Sequence, residues 1–499
     1  IRKILASFVG FTLLLVASTA FAQSTLKVGR ANLPKALGDP YRAVGPNQVG
    51  TTFSVFDPVV FIDETGAIRP ALATSWEPID ETTWHVKLRP GVTFHNGEPL
   101  TANTIEAVFT YLTSDEGKTT RVVREIRGIT SARAIDELMV EIKTAKPNPV
   151  LDRQLSWLAI PEPKAYADLG PAFGRHPVGS GPFMVQDWKA DRVLGTINNR
   201  SWRRPAVERI EFILLPEMVS RLQALLSDQV HVADSLAVDD KDVVEQAGGR
   251  LLSTLEGSVF ALRFNTSLDT PLRDIRVRQA LNYGVDKGAY IDALLHGLSV
   301  PASQPSGRQV FGHDSSVSAY PYDPDKARVL LAEAGYGAGL KLVAEVVDTL
   351  NEARDVYAQT AADLAKIGVE LELQSISLPD LISKALGKTE WKGAISTISY
   401  IGGMQRDAMR PINSFGNSCG GLKYYCDEEI QPVIAAANIE FDSSKREKLV
   451  QQTMRRYHDQ AAALFLHEQV TVWGVSKSVA DFALTGTSFA RWDQVRIQR

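Results

Sequence analysis

Between Val259 and Asp286 the spacing of apolar side chains changes from the period of a strand to that of a helix. Val259, Ala261 and Arg263 alternate with Phe260, Leu262 and Phe264, a two-residue repeat. Asn265 to Pro271 breaks it with small polar residues and a proline, as a connection does. From Arg273 to Tyr283 the repeat is helical, with Ile275, Val277, Leu281 and Val285 among arginines expected to face water. The stretch lies just past the middle of the chain and reads as a crossing from one lobe to another. A second apolar run, Leu464 to Val475, reads as the crossing back.

The flanking patterns fill in the lobes. Trp84, Val86 and Leu88 alternate with His85, Lys87 and Arg89 in a half-buried strand. The turn dipeptides Pro90-Gly91 and Asn96-Gly97 follow. Thr101 or Asn103 then caps a helix carrying Ile105, Val108, Phe109 and Leu112. Later, strands at Leu340 to Val347, Val369 to Ser375 and Gly393 to Tyr400 alternate with helices at Asn351 to Lys366 and Leu378 to Leu386. Cys426 to Ile439 and Lys445 to Ala463 read as two more helices before the return run. This alternation predicts α/β lobes.

The first residues change the picture from a cytoplasmic to an exported protein. Arg2 and Lys3, the apolar run Ile4 to Val16, and Ala20 and Ala22 in an A-x-A pattern form a signal peptide over residues 1–22. The apolar run is short of the roughly 20 residues a membrane span needs. No cysteine adjoins the cleavage pattern, so a lipoprotein anchor is not indicated, and the mature protein is expected in the periplasm, as a monomer. Without Arg2 and Lys3 the balance is 52 basic against 58 acidic side chains. A charge that close to neutral argues against nucleic acid as a partner. The two cysteines, Cys419 and Cys426, share one polar loop; in an exported chain they read as a disulfide, with a metal site as the competing reading.

Ile68 to Phe109, IRPALATSWEPIDETTWHVKLRPGVTFHNGEPLTANTIEAVF, resembles the signature of the peptide/nickel/opine class of substrate-binding proteins of ABC importers, extracellular solute-binding family 5. The Leu-Ala-x-Ser-Trp element and the Leu-Arg-x-Gly-Val-x-Phe-His-x-Gly-x-Pro element are both present. Pro177-Val-Gly-Ser-Gly-Pro-Phe183, Asn199 to Trp202, Glu208 to Pro216, Arg221 to Val232 and Tyr322 to Tyr336 extend the resemblance. It implies a bilobal periplasmic binding protein fold of type II-like α/β architecture, from the large cluster with an extra subdomain. Lobe I is expected over residues 23–265, with the subdomain near 50–175. Lobe II is expected over 266–470, and 471–499 returns to lobe I.

No catalytic signature competes with binding. The chain has neither a G-x-S-x-G elbow nor an H-E-x-x-H helix. Gly387-Lys-Thr389 lacks the earlier glycine of a phosphate loop, that position being Ile382. The eight histidines are scattered, so neither a cofactor nor a metal is expected. A secreted hydrolase is therefore the weakest reading.

The resemblance also suggests where a ligand sits. Arg354 falls where peptide-binding relatives carry an arginine for the ligand carboxylate, which a guanidinium can hold with two parallel hydrogen bonds. Around Tyr400, dipeptide-type relatives read Trp-x-Gly-Asp, and the Asp pairs with the ligand ammonium. Here Tyr400 stands for the Trp and Gly402 is kept, but Gly403 replaces the Asp. Asp407 is a candidate substitute, flanked by Arg406 and Arg410. Phe264 and Asn265 from the return strand, with Phe53, are candidate walls. The reading is a solute-binding protein that passes a peptide or peptide-like solute to permease subunits in the inner membrane. The same fold holding an opine, a sugar-derived compound or a metal chelate is the alternative.

Overall fold

The two apolar runs singled out above are the longest strands described, Arg250–Phe264 and Ala463–Val475. They pair antiparallel in the middle of a ten-stranded sheet. The computed structural model describes residues 24–42, 45–63, 65–348, 353–402, 405–416, 419, 425–484 and 490–498. The leader read at 1–22 and Gly403 lie outside these residues. Beside Arg250–Phe264 the sheet continues through Ile395–Tyr400, Leu340–Val346 and Val369–Ser375. Beside Ala463–Val475 it continues through Val232–Ala233, Thr25–Arg30, Arg209–Leu214, Arg192–Ile197 and Phe183–Trp188. The central pair thus belongs to both halves of the molecule.

The ladder between the central strands shifts register twice, between Phe260 and Ala261 and, more widely, where the halves meet. Leu255 pairs with Val470 and Val259 with Glu468, leaving 256–258 out of register. Gly257 has φ 74°, a conformation that is unfavourable for residues with a Cβ. Its carbonyl accepts the Gly307 N–H at 3.3 Å. A Cβ on Gly307 would stand 2.7 Å from the Gly257 Cα, and one on Gly402 would stand 3.0 Å from the Gly257 oxygen. Three glycines therefore meet where the sheet changes partners.

From Val259 to Phe264 the strand pairs with Ile395–Tyr400, in the second half. The boundary expected at residue 265 coincides with the end of this pairing, and the change of partners lies at 256–258. Phe260, Leu262 and Phe264 pack with Leu272, Val277, Leu281 and Leu342 on one face. Val259 and Ala261 pack with Tyr400, Met454, Tyr457 and Phe465 on the other. Covering both faces explains why both registers of the alternation are largely apolar. The following helix, Ile275–Tyr283, departs from expectation at one arginine. Arg278 is buried, and its guanidinium donates to the carbonyls of Leu272 at 2.8 Å, Arg273 at 3.0 Å and Gln460 at 2.9 Å. A guanidinium has five donors to distribute among such carbonyls.

A smaller antiparallel sheet stands apart, in the order Ala73–Asp80, Thr83–Leu88, Met139–Thr144, Ile129–Ala134. Helix Ala102–Thr113 covers it, so Trp84, Val86, Leu88, Ile105, Val108, Phe109 and Leu112 share one core. Full burial of each such side chain contributes about 1.5–3 kcal/mol. His95 ties this unit to the Pro177–Phe183 turn. Gly179 donates its N–H to Nδ1 at 3.3 Å, and Nε2 lies 3.1 Å from the Gly181 carbonyl. Gly179 and Gly181 pack on Val55, where a Cβ would fall within 2.6 Å of backbone atoms.

Candidate ligand-binding cleft

Strand Ile395–Tyr400 delivers the chain to the seam between the halves. Tyr400 is 1 % exposed, packed against Phe465, and its hydroxyl has no hydrogen-bond partner among the described residues. It supports the following loop from inside the core instead of presenting a wall to a ligand. Gly402 rests on Gly257 and Val310. Its retention thus answers a close approach to the crossing strand, where a Cβ would press on the Gly257 carbonyl and the Val310 side chain.

Residues 405–410 are packed in the second half and reach across to the first. Arg410 donates to Glu125 through Nη2, at 3.0 Å to Oε1 and 2.9 Å to Oε2, and through Nε at 3.2 Å to Oε2. Its Nη1 donates to the Ile401 carbonyl at 2.8 Å. The Gln405 amide donates to the Glu125 carbonyl at 3.1 Å. Arg153 Nη1 reaches the carbonyl oxygens of Gln405 at 3.0 Å, Arg406 at 3.4 Å and Gly66 at 3.4 Å. Arg406 itself is fully buried and carries φ 45°, an uncommon conformation for a non-glycine residue. Both Arg406 and Arg410 were candidates for an acidic ligand; here Arg410 closes the molecule on itself.

Asp407 is engaged by another side chain. Arg446 donates to both carboxylate oxygens, at 2.6 and 3.1 Å, and the Met409 N–H adds a bond of 2.9 Å. Burial alone would push this carboxyl up, but Arg446 overrides it and holds it below the usual range. A ligand ammonium reaching Asp407 would have to displace this buried guanidinium.

The remaining candidates separate. Arg354 sits on the first turn of helix Ala353–Ala365 with 73 % of its side chain exposed, 3.7 Å from Asp348. Phe264 is fully buried in the core of the second half and offers no face to a ligand, because the strand that carries it is covered on both sides. Asn265 is 6 % exposed; Ser267 donates to its Oδ1 at 2.8 Å, while its amide nitrogen has no partner among the described residues. Phe53 packs in the core of the first half with Val49 and Phe56. Cys419 and Cys426 form a disulfide, with 4.8 Å between their Cα atoms.

Several residues at the seam escaped the sequence reading. Glu125 and Arg153 sit in segments with no functional motif. Glu468 on the return strand is buried; burial pushes its carboxyl up, against Arg308, whose N–H and Nε lie 3.1 and 3.2 Å away. Gly257 did carry a signal, since a glycine inside a strand pattern marks a bulge or a close approach.

The model for bacterial extracellular solute-binding proteins, family 5, matches residues 67–420. The chain is 28 % identical to heme-binding protein A of Haemophilus influenzae, over 79 % of this chain and 78 % of that one. It is 26 % identical to the dipeptide-binding protein of Escherichia coli, over 87 % of each. The periplasmic binding protein DppA of Helicobacter pylori, solved with the peptide STSA, superposes with a TM-score of 0.78 at 20 % identity, over 96 % of this chain and 99 % of that one. The fold is the bilobal one of the periplasmic binding proteins, and the chain belongs to the bacterial extracellular solute-binding proteins, family 5.

Proposed function

We propose that this protein is the periplasmic solute-binding component of an ABC importer, capturing a peptide or peptide-like solute between two lobes and delivering it to a membrane permease. Residues 405–410 carry the reading: a loop of one half is held by Glu125 and Arg153 of the other, beside the wider of two register shifts in the described central ladder. A ligand enclosed this way is desolvated from both sides and favours the closed form over the open one. We place the lobe boundary at 256–258 and 469, where few backbone torsions would absorb the motion. The family is one of solute-binding transport proteins, which accords with a binding role and no turnover.

The solute's carboxylate would be met by the exposed Arg354 at the start of its helix. Its amino end needs another partner than the loop carboxylates, because Gly403 has none and Asp407 is taken by Arg446. This favours a solute whose amine is acylated, substituted or held by carbonyl groups. Native mass spectrometry of protein purified from its host, with denaturing release, tests the reading. Short peptides or an amino-blocked relative, recovered chemically unchanged, support it. A single opine, sugar-derived acid or chelate moves the assignment to the other ligand class, and recovery of a cleaved product overturns it.

A further inference from the structure

A groove of about 540 Å³ lies on the seam between the halves, and none of its lining residues belongs to the loop 400–410. One wall is the hairpin end at Ile79, Asp80 and Glu81, from the small sheet. The other is Ile439, Glu440 and Phe441, between helices Gln431–Ala437 and Ser443–Asp459 of the second half. The walls touch below it, where the rings of Trp84 and Phe441 stand 6.2 Å apart. Ile79 is 51 % exposed and Ile439 54 %. Single exposed isoleucines are ordinary on a protein surface. These two line one groove from opposite halves, together with three carboxylates and no lysine or arginine.

We propose that this groove is where an ABC permease subunit recognises the closed protein, receiving a periplasmic segment with an apolar side chain flanked by lysine or arginine. The inference rests on the transport role proposed above. Motion about 256–258 would part the two walls, so the groove exists only while the halves are together. A permease that reads it receives a report of closure that neither half alone can give. The acidic rim selects a basic segment, and rim charges act mainly on encounter rate and partner choice. The isoleucines give the apolar centre.

The test is site-specific photo-crosslinking in host cells, with Ile79→p-benzoylphenylalanine and Ile439→p-benzoylphenylalanine. Ile135, 44 % exposed, takes the same probe as a control. Both groove positions should link to one integral-membrane permease subunit, identified by peptide sequencing, at a segment containing Lys or Arg. The pair Asp80→Lys and Glu440→Lys should lower that yield about tenfold and leave solute affinity unchanged. The proposal fails if the control links to the permease equally, if the lysines leave the yield unchanged, or if neither groove position links to it. Retained solute in the same preparations separates that failure from failure of the transport reading.

Discussion

Replacing Glu125 with Gln tests whether the contact with Arg410 holds the two halves together. The ion pair is largely shielded, with 20 % of the Arg410 side chain and 16 % of Glu125 exposed. Arg410 makes three hydrogen bonds to this carboxylate; glutamine keeps one acceptor oxygen but loses the charge and the second, while the bond from Arg410 to the Ile401 carbonyl stays. Removing one partner of a hydrogen-bonded, partly buried charge pair costs about 2 kcal/mol. The contact joins the halves, so that loss falls on the closed form. The closed-to-open ratio then drops about 30-fold, and where the open form dominates without ligand, the solute Kd rises by the same factor. Isothermal titration with the solute recovered from the host measures it, for Glu125→Gln, Arg410→Gln and the double variant. Each single variant should weaken binding about 30-fold, and the double little more, because the two share one interaction. The unfolding midpoint should stay near that of the parent. Additive losses, or a lower midpoint with unchanged Kd, would refute the reasoning.

Asp407→Asn leaves the buried Arg446 without its counter-charge and should destabilise the protein by about 3–5 kcal/mol in urea unfolding; a loss below about 1 kcal/mol contradicts the pairing. Gly402→Ala pushes a methyl group toward the Gly257 carbonyl at the crossing. It should destabilise by about 1–3 kcal/mol and weaken solute binding, whereas an unchanged variant would remove Gly402 from the hinge contact. Burial lowers His95 and His467 to about 4 from an ordinary value near 6.5. As pH falls the unfolded chain takes up these protons first, so stability present above pH 6.5 declines down to pH 4, by about 2 kcal/mol for each histidine at pH 5. Equal urea midpoints at pH 7 and pH 5 would contradict it. Breaking the Cys419–Cys426 bond opens a loop of seven-residue separation and should cost at most about 2.5 kcal/mol, read as a fall in thermal midpoint on reduction.

Periodicity located the elements well, because it reports which faces are buried. Trp84, Val86 and Leu88 alternate as written and fill one core with the helix that Thr101 caps. It does not by itself say which half Val259 to Phe264 belongs to, since they would alternate in the same way in either; their pairing with Ile395–Tyr400 is visible only in the sheet. The same limit applied to Arg278. An arginine on a helix reads as solvent-facing, and nothing local announces that it will bind the Gln460 carbonyl along with those of Leu272 and Arg273 just before the helix. The seam was the least legible region. Glu125 and Arg410 are 285 residues apart, and Asp407 finds Arg446 39 residues later. Such pairs are made by the closing of the fold, so Asp407 kept the appearance of a ligand carboxylate until its partner was located.

The central claim is that the halves move about 256–258 and 469 to enclose a solute, with the loop 405–410 closing onto Glu125 and Arg153. Small-angle X-ray scattering of the monodisperse protein, stripped of solute and then titrated with it, tests this directly. The account predicts a larger radius of gyration in the stripped protein that contracts on titration with one solute per chain, and a Glu125→Gln variant that contracts only at higher solute concentration. Superimposable profiles for the stripped and saturated parent, with binding verified in the same samples, would contradict it.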